Sequence, residues 1–138
     1  MIYSVDVHVT APVEDTEVPD RVARAVSNIF PTAEVTQEPG RVVAEGHDLD
    51  HLAERLREQR ILDTARSVFY DGRAGDAFEF ALKKQAAFEG VVNFAVGKPD
   101  ELGDVDVRVR VRDPDVDTFI DYVAPETDEE GRPIEPDG

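Results

Sequence analysis

Residues 2–11 alternate between apolar and polar. Tyr3, Val5, Val7 and Val9 fall on one side and Ser4, Asp6, His8 and Thr10 on the other, which predicts a strand with one buried face. Ala11-Pro12 ends it, because proline cannot donate to a ladder. The period then changes. Val18, Val22, Ala25, Val26 and Ile29 form a helical stripe over residues 17–30, with Thr16 as the expected N-cap and Glu14, Asp15 and Glu17 suited to the positive end of the helix. Pro31 stops the helix. Ala33–Gln37 and Arg41–Glu45 read as a hairpin turned by Glu38-Pro39-Gly40. Leu49, Leu52 and Leu56 mark a second helix, capped by Asp48 or His47. The step of five from Leu56 to Ile61 breaks the helical phase, so two helices are expected, 48–58 and 61–70.

The second half of the chain is richer in strands. Phe78, Phe80 and Leu82 point inward, with Glu79, Ala81 and Lys83 outward. After the polar connection 84–90, Val92, Phe94 and Val96 are expected to point inward, with Asn93 and Ala95 outward. The run DVDVRVRVR, residues 104–112, is the plainest strand: Val105, Val107, Val109 and Val111 face one way, and Arg108, Arg110 and Arg112 the other. Asp113-Pro114 reads as a cap followed by proline at the first helical position, opening a helix with Val116, Phe119, Ile120 and Val123 on its stripe. The predicted order is β-α-β-β-α-α-β-β-β-α. One-sided strands with intervening helices argue an α+β two-layer sandwich: a mostly antiparallel sheet, helices on one face, the other face open. A single domain is expected over 1–123. Residues 124–138, rich in Pro, Gly and acids, read as a disordered acidic tail.

Charge changes the picture. The 138 residues carry 31 acidic and 15 basic side chains, a formal net charge of −16. Lys83, Lys84 and Lys98 are the lysines; the other basic residues are arginines. Such self-repulsion destabilises a fold in dilute buffer, and it is screened at ~1 M salt, where the Debye length is ~3 Å. Adaptation to a high-salt cytoplasm is the favoured explanation, a basic partner the alternative. With no cysteine, disulfides, thiolate metal sites and a Cys nucleophile are excluded. No apolar run approaches the ~20 residues of a membrane span.

In so acidic a chain, clustered basic residues are informative. Strand parity places Lys83, Asn93, Arg108, Arg110 and Arg112 on the open face. Alternate strand residues lie ~6.8 Å apart, close to the spacing of successive phosphates, and guanidinium forks suit phosphate oxygens. Lys84 and Gln85 sit where a strand gives way to a connection and are expected to add to an RNA-binding surface. The competing reading is that the arginines pair across strands with Asp6, Glu79, Asp104 or Asp106. Phe88 lies off the inward parity: it either stacks on a base or plugs the core. His47 and His51 share one face of a helix, as a divalent metal site needs, but no third ligand accompanies them, and no metal or cofactor is expected. There is no nucleophile elbow, phosphate loop or dinucleotide fingerprint, so no catalytic residue is assigned and an enzyme is not expected.

The opening MIYSVDVHVTAPV, the block LKKQAAFEGVVNFAVG and the run DVDVRVRV together resemble an archaeal family of small proteins, uncharacterised protein family 0201. The resemblance covers residues 1–123, and the block 82–97 is its most specific part. It implies an RNA-binding-domain-like protein whose fold is similar to that of the fifth protein of the large ribosomal subunit, with relatives linked to RNA processing. The expected function is a non-catalytic RNA-binding module, with structured RNA or a ribonucleoprotein as partner. The alternative is a protein–protein or homodimeric assembly module.

Overall fold

A computed structural model describes residues 2–134. Six antiparallel strands form one sheet, in the order β2-β3-β1-β6-β5-β4, with five helices. The elements along the chain are β1 (Ser4–Pro12), α1 (Pro19–Ile29), β2 (Glu34–Glu38), β3 (Arg41–Gly46), α2 (Asp50–Glu58), α3 (Leu62–Asp71), β4 (Arg73–Ala74), β5 (Ala77–Lys83), α4 (Lys84–Ala87), β6 (Asp104–Asp113) and α5 (Val116–Val123). This is the α+β two-layer architecture that the alternating pattern predicts. The valines of β1 and β6 are in the core, as are the inward residues of β5, while the alternate residues face away from the helices. Phe69 of α3 is central to the core. Its ring centroid lies 5.1 Å from that of Phe78, 4.8 Å from Phe80 and 5.8 Å from Phe94, offset and edge-on packings that aromatic pairs favour.

Several boundaries differ from the sequence pattern for local reasons. Helix α1 starts at Pro19, whose missing N–H is no loss there. Val18 holds the cap position without a side-chain bond, so Thr16 is not the cap. The phase break after Leu56 is a real helix boundary: Arg60 takes φ 58°, a left-handed conformation that an α-helix cannot contain. The cap of α5 is Asp115, which accepts a bond from the Thr118 N–H at 2.8 Å, and the preceding Asp113–Pro114 peptide is cis. Pro114 therefore precedes the helix instead of opening it.

The expected strand over 92–96 is mostly absent. Its middle makes two bonds to β5, Lys83 N–H to the Asn93 carbonyl and Ala95 N–H to the Ala81 carbonyl, with a single bridge at Leu82 and Phe94. Val92 and Phe94 are buried as expected, but Val96 is 78% exposed, because pairing lapses before it. Beyond 123, the described residues make specific contacts. Ala124 is buried, and residues 126–134 fold back on themselves through the Asp128–Arg132 and Ile134–Glu126 backbone bonds. Arg66 reaches Glu126, and Thr127 meets Asp63. The remainder of the expected tail, 135–138, lies outside the described residues.

Two glycines are set by close approach. A Cβ on Gly72 would lie 2.0 Å from the Glu79 carbonyl oxygen, and one on Gly103 (φ 79°) would lie 2.3 Å from the Pro12 ring.

Candidate nucleic-acid interface

The open face is a set of cross-strand rows fixed by register. In one row His8 of β1 lies beside Arg108 of β6 and Arg108 beside Glu79 of β5. In the next, Thr10, Asp106 and Ala81 are neighbours, and in a third Asp6, Arg110 and Ala77. Lys83 is paired with Asp104, and with Asn93 through the backbone bond above. The strand pattern thus brings together Lys83, Asn93, Arg108, Arg110 and, past a register shift near Ser4, Arg112. All five side chains are exposed.

The three arginines are also ion-paired. Arg108 meets Glu79 at 3.4 Å, Arg110 meets Asp76 at 2.9 Å and Arg112 meets Asp6 at 3.1 Å. The competing reading of the sequence is therefore realised in geometry, with Glu79 and Asp6 as the anticipated partners. Asp76 is a further partner. It comes from the 75–76 turn, whose backbone docks on β6 through a bond from Val111 N–H to the Asp76 carbonyl, and no periodicity marks it. The pairs leave each arginine side chain more than half exposed, at 57, 58 and 53% for Arg108, Arg110 and Arg112. A guanidinium has five N–H donors, so each arginine keeps donors for an outside acceptor, and exposed pairs of this kind contribute only ~0–1 kcal/mol.

Lys84 is a correction. Its amine is turned into the protein at 2% exposure, donating to Glu17 Oε1 at 2.9 Å, to the Pro12 carbonyl at 2.7 Å and to the Leu102 carbonyl. Leaving water costs a lysine heavily unless it is paired and fully bonded, and this one is both. It cannot reach a phosphate. Strand parity held the signal: Leu82 in, Lys83 out and Lys84 in. Gln85, one residue on, is exposed on α4.

Phe88 packs against the core and lies under Arg21, 5.6 Å from its guanidinium carbon, as in the core-plug reading. His47 precedes α2 and contacts the Val5 carbonyl and Asp6, whereas His51 faces Glu54. The two rings do not share a helical face, and among the described residues no group of three or more His, Cys, Asp or Glu is placed to hold a metal ion. No helix among the described residues is long and apolar enough to cross a membrane.

Beside Arg108 the face dips. Ala81 is small, and a depression of about 490 Å³ opens between β1 and β5, lined chiefly by His8, Thr10, Glu79, Ala81, Asp106 and Arg108. Partial burial, then the charges of Asp104 and Glu79, raise the pKa of Asp106 above the ordinary carboxylate value.

A family model described as RNA binding matches residues 6–112, which includes every strand but the first two residues of β1 and the last of β6. The chain belongs to the UPF0201 family, with the archaeal relatives that follow. It is 41% identical to the UPF0201 protein of Methanopyrus kandleri over 91% of this chain and 87% of that one. It is 39% identical to the UPF0200/UPF0201 protein of Archaeoglobus fulgidus, spanning 95% of this chain but only 40% of that protein's length. The crystal structure of the UPF0201 protein from Methanococcus jannaschii is similar with a TM-score of 0.87 at 34% identity, covering 94% of this chain and 99% of that one. A protein of Archaeoglobus fulgidus shares the fold at 23% identity and a TM-score of 0.66, over 88% of this chain and 96% of its own.

Proposed function

We propose that this protein is a non-catalytic RNA-binding module of the cytoplasm, serving the ribosome or RNA metabolism and binding structured RNA through the open sheet face. The observation that carries the reading is the row Arg108, Arg110 and Arg112: half-exposed guanidiniums at alternate positions of a central strand, each oriented by one carboxylate and each with donors to spare. The family's description as RNA binding supports it. Lys83 and Asn93 extend the surface at the β5 end, and Gln85 follows in the chain, exposed on α4. The −16 charge fits a high-salt cytoplasm. Counterion release counts for little there, so hydrogen bonds and shape supply the affinity and the arginines set the register.

The test is binding of structured RNA in 2 M KCl by wild type and by the Arg108→Ala/Arg110→Ala double variant. Binding is expected to vanish while the fold persists, because each surface pair contributes at most ~1 kcal/mol. Unchanged binding by the double variant moves the site off this face.

One observation favours a protein–protein module instead. Strand β2 is a sheet edge carrying Glu34 and Glu38, open to strand addition by a basic segment. Light scattering and the absorbance ratio of purified protein separate the two: co-purifying nucleic acid favours the first, a stable complex without it the second.

A further inference from the structure

The carboxylates of the open face are not alike. Asp6, Asp76 and Glu79 each hold an arginine, Glu38 holds Arg41, and Glu45 accepts from His8 Nδ1 at 2.6 Å. Asp106 sits among them on β6, one row from Arg108, and accepts no hydrogen bond or ion pair from any described residue; Glu34 at the β2 edge and Asp104, which is buried at 8% exposure, also lack a partner, but Asp106 is the one that lines the depression. Its side chain is exposed on the floor of the depression that spans β1, β6 and β5, where the walls screen it in part from water. An unpaired carboxylate beside a row of phosphate-binding arginines repels a nucleic acid backbone. It becomes favourable when the ligand brings two donors to it.

Resting on the reading of this face as an RNA surface, we propose that the depression is a base pocket in which Asp106 selects an unpaired guanine. Guanine alone among the four bases presents two adjacent donors, N1–H and the N2 amino group, on its Watson–Crick edge, and a carboxylate accepts both in parallel. Cytosine and adenine offer one exocyclic amine beside an acceptor, which faces the carboxylate with a lone pair. Uracil offers a single N–H between two carbonyls. Splayed-out single-stranded bases read on this edge are the usual route to sequence-specific RNA recognition. The surroundings suit a flat ring. Ala81 and, beyond it, Ala95 keep the row low, since Ala95 pairs with Ala81 through its N–H. The Thr10 hydroxyl and the half-exposed His8 imidazole are 3.2 Å apart on the β1 wall, both lining the depression. Arg108 stands at the Glu79 side, ~6.8 Å along the strand from Asp106, a position from which it can hold the phosphate of the same or the next nucleotide.

The experiment measures fluorescence anisotropy of the full chain with labelled eight-nucleotide single-stranded RNAs. They differ at one central position: guanine, adenine, cytosine, uracil or hypoxanthine, which lacks the N2 amine. The guanine oligonucleotide is expected to bind about tenfold more tightly than the others, the discrimination of one good bidentate contact, with hypoxanthine among the losers. Asp106→Asn is expected to level the series and keep the weaker, base-independent binding. Ala81→Leu, whose side chain fills the depression from the solvent side, is expected to do the same. Neither change touches the core, and an unchanged melting temperature confirms the fold. Binding without a guanine preference, or a preference that survives Asp106→Asn, overturns the base pocket and leaves the RNA surface standing. Failure of every oligonucleotide and of structured RNA to bind overturns both.

Discussion

At the scale of single residues, adjacent lysines do opposite work. Lys83 is a surface amine, whereas Lys84 ties together the end of β1, the loop before α1 and the loop before β6 by donating to Pro12, Glu17 and Leu102. Glu17 also accepts from the Glu14 N–H at 3.0 Å, yet its Oε2 is buried without a partner. Removing one member of such a pair strands the other charge, which costs about 3–5 kcal/mol, while replacing both by apolar groups is far milder. Lys84→Met is therefore expected to lower the urea-unfolding free energy by about 3–5 kcal/mol. Lys84→Met/Glu17→Leu is expected to lose less than that single variant, and a double loss equal to the sum of the singles would show that the pair is not coupled. At the opposite extreme of exposure, Asp115 caps α5. The Thr118 N–H, then the Thr118 hydroxyl, hold its pKa below the ordinary carboxylate value. A carboxyl with a lowered folded-state pKa stabilises the fold fully above its unfolded value, about 3.9, and that contribution disappears as pH falls through the lower folded value. The melting temperature of Asp115→Ala should lie below wild type at pH 6 and converge on it towards pH 2; a gap independent of pH would assign the cap's effect to something other than the carboxylate's charge.

Among the elements, α3 and β5 are held unusually close. The α3 cap residue Gly72 donates to Val68 and accepts from the Glu79 N–H at 3.0 Å, and its Cα lies against the β5 backbone. Because the obstacle to a Cβ is a carbonyl oxygen within a strand and not the end of a flexible side chain, Gly72→Ala must shift one element. Overpacking of this kind costs about 1–3 kcal/mol, and the expected loss in chemical denaturation is at the upper end. A neutral Gly72→Ala would mean that α3 slides freely over the sheet. Outside the core, α3 is fastened to α5 by Tyr70, whose hydroxyl donates to Asp121 at 2.8 Å while Arg66 and Arg73 stand over its ring at 4.9 and 4.7 Å. Arg66 also meets Asp121, and Arg73 meets Asp117. These contacts hold the helical layer together on the side away from the open face, which leaves the arginines of β6 free of any helical cover.

For the molecule as a whole, charge dominates the response to solvent. With a formal −16 over 138 residues and the acids mainly exposed, the folded state concentrates repulsion that the extended chain relieves. The melting temperature is expected to rise from dilute buffer to molar KCl, where the screening length is ~3 Å; equal values in both would remove the high-salt interpretation. The same screening weakens the arginine–carboxylate pairs of the open face, so salt frees guanidiniums as it stabilises the fold.

The alternation of Val105 to Val111 and of Tyr3 to Val9 by itself determined that β1 and β6 each have one buried side, and with it which arginines would share the other. That outcome follows from a strand's period of two, which needs no partner to be known. The hairpin at Glu38-Pro39-Gly40 and the helix break near Arg60 were equally local. What only the tertiary structure decided lies wherever a residue's fate depends on a distant segment. Lys84 is buried because Pro12, Glu17 and Leu102 converge on it, Asp76 reaches Arg110 because a turn docks on β6, and Val96 is exposed because beyond Ala81 the β5 edge is taken by Gly72 and β4. No local pattern encodes those meetings, since they are set by how the layers pack and not by the order of residues within any one element.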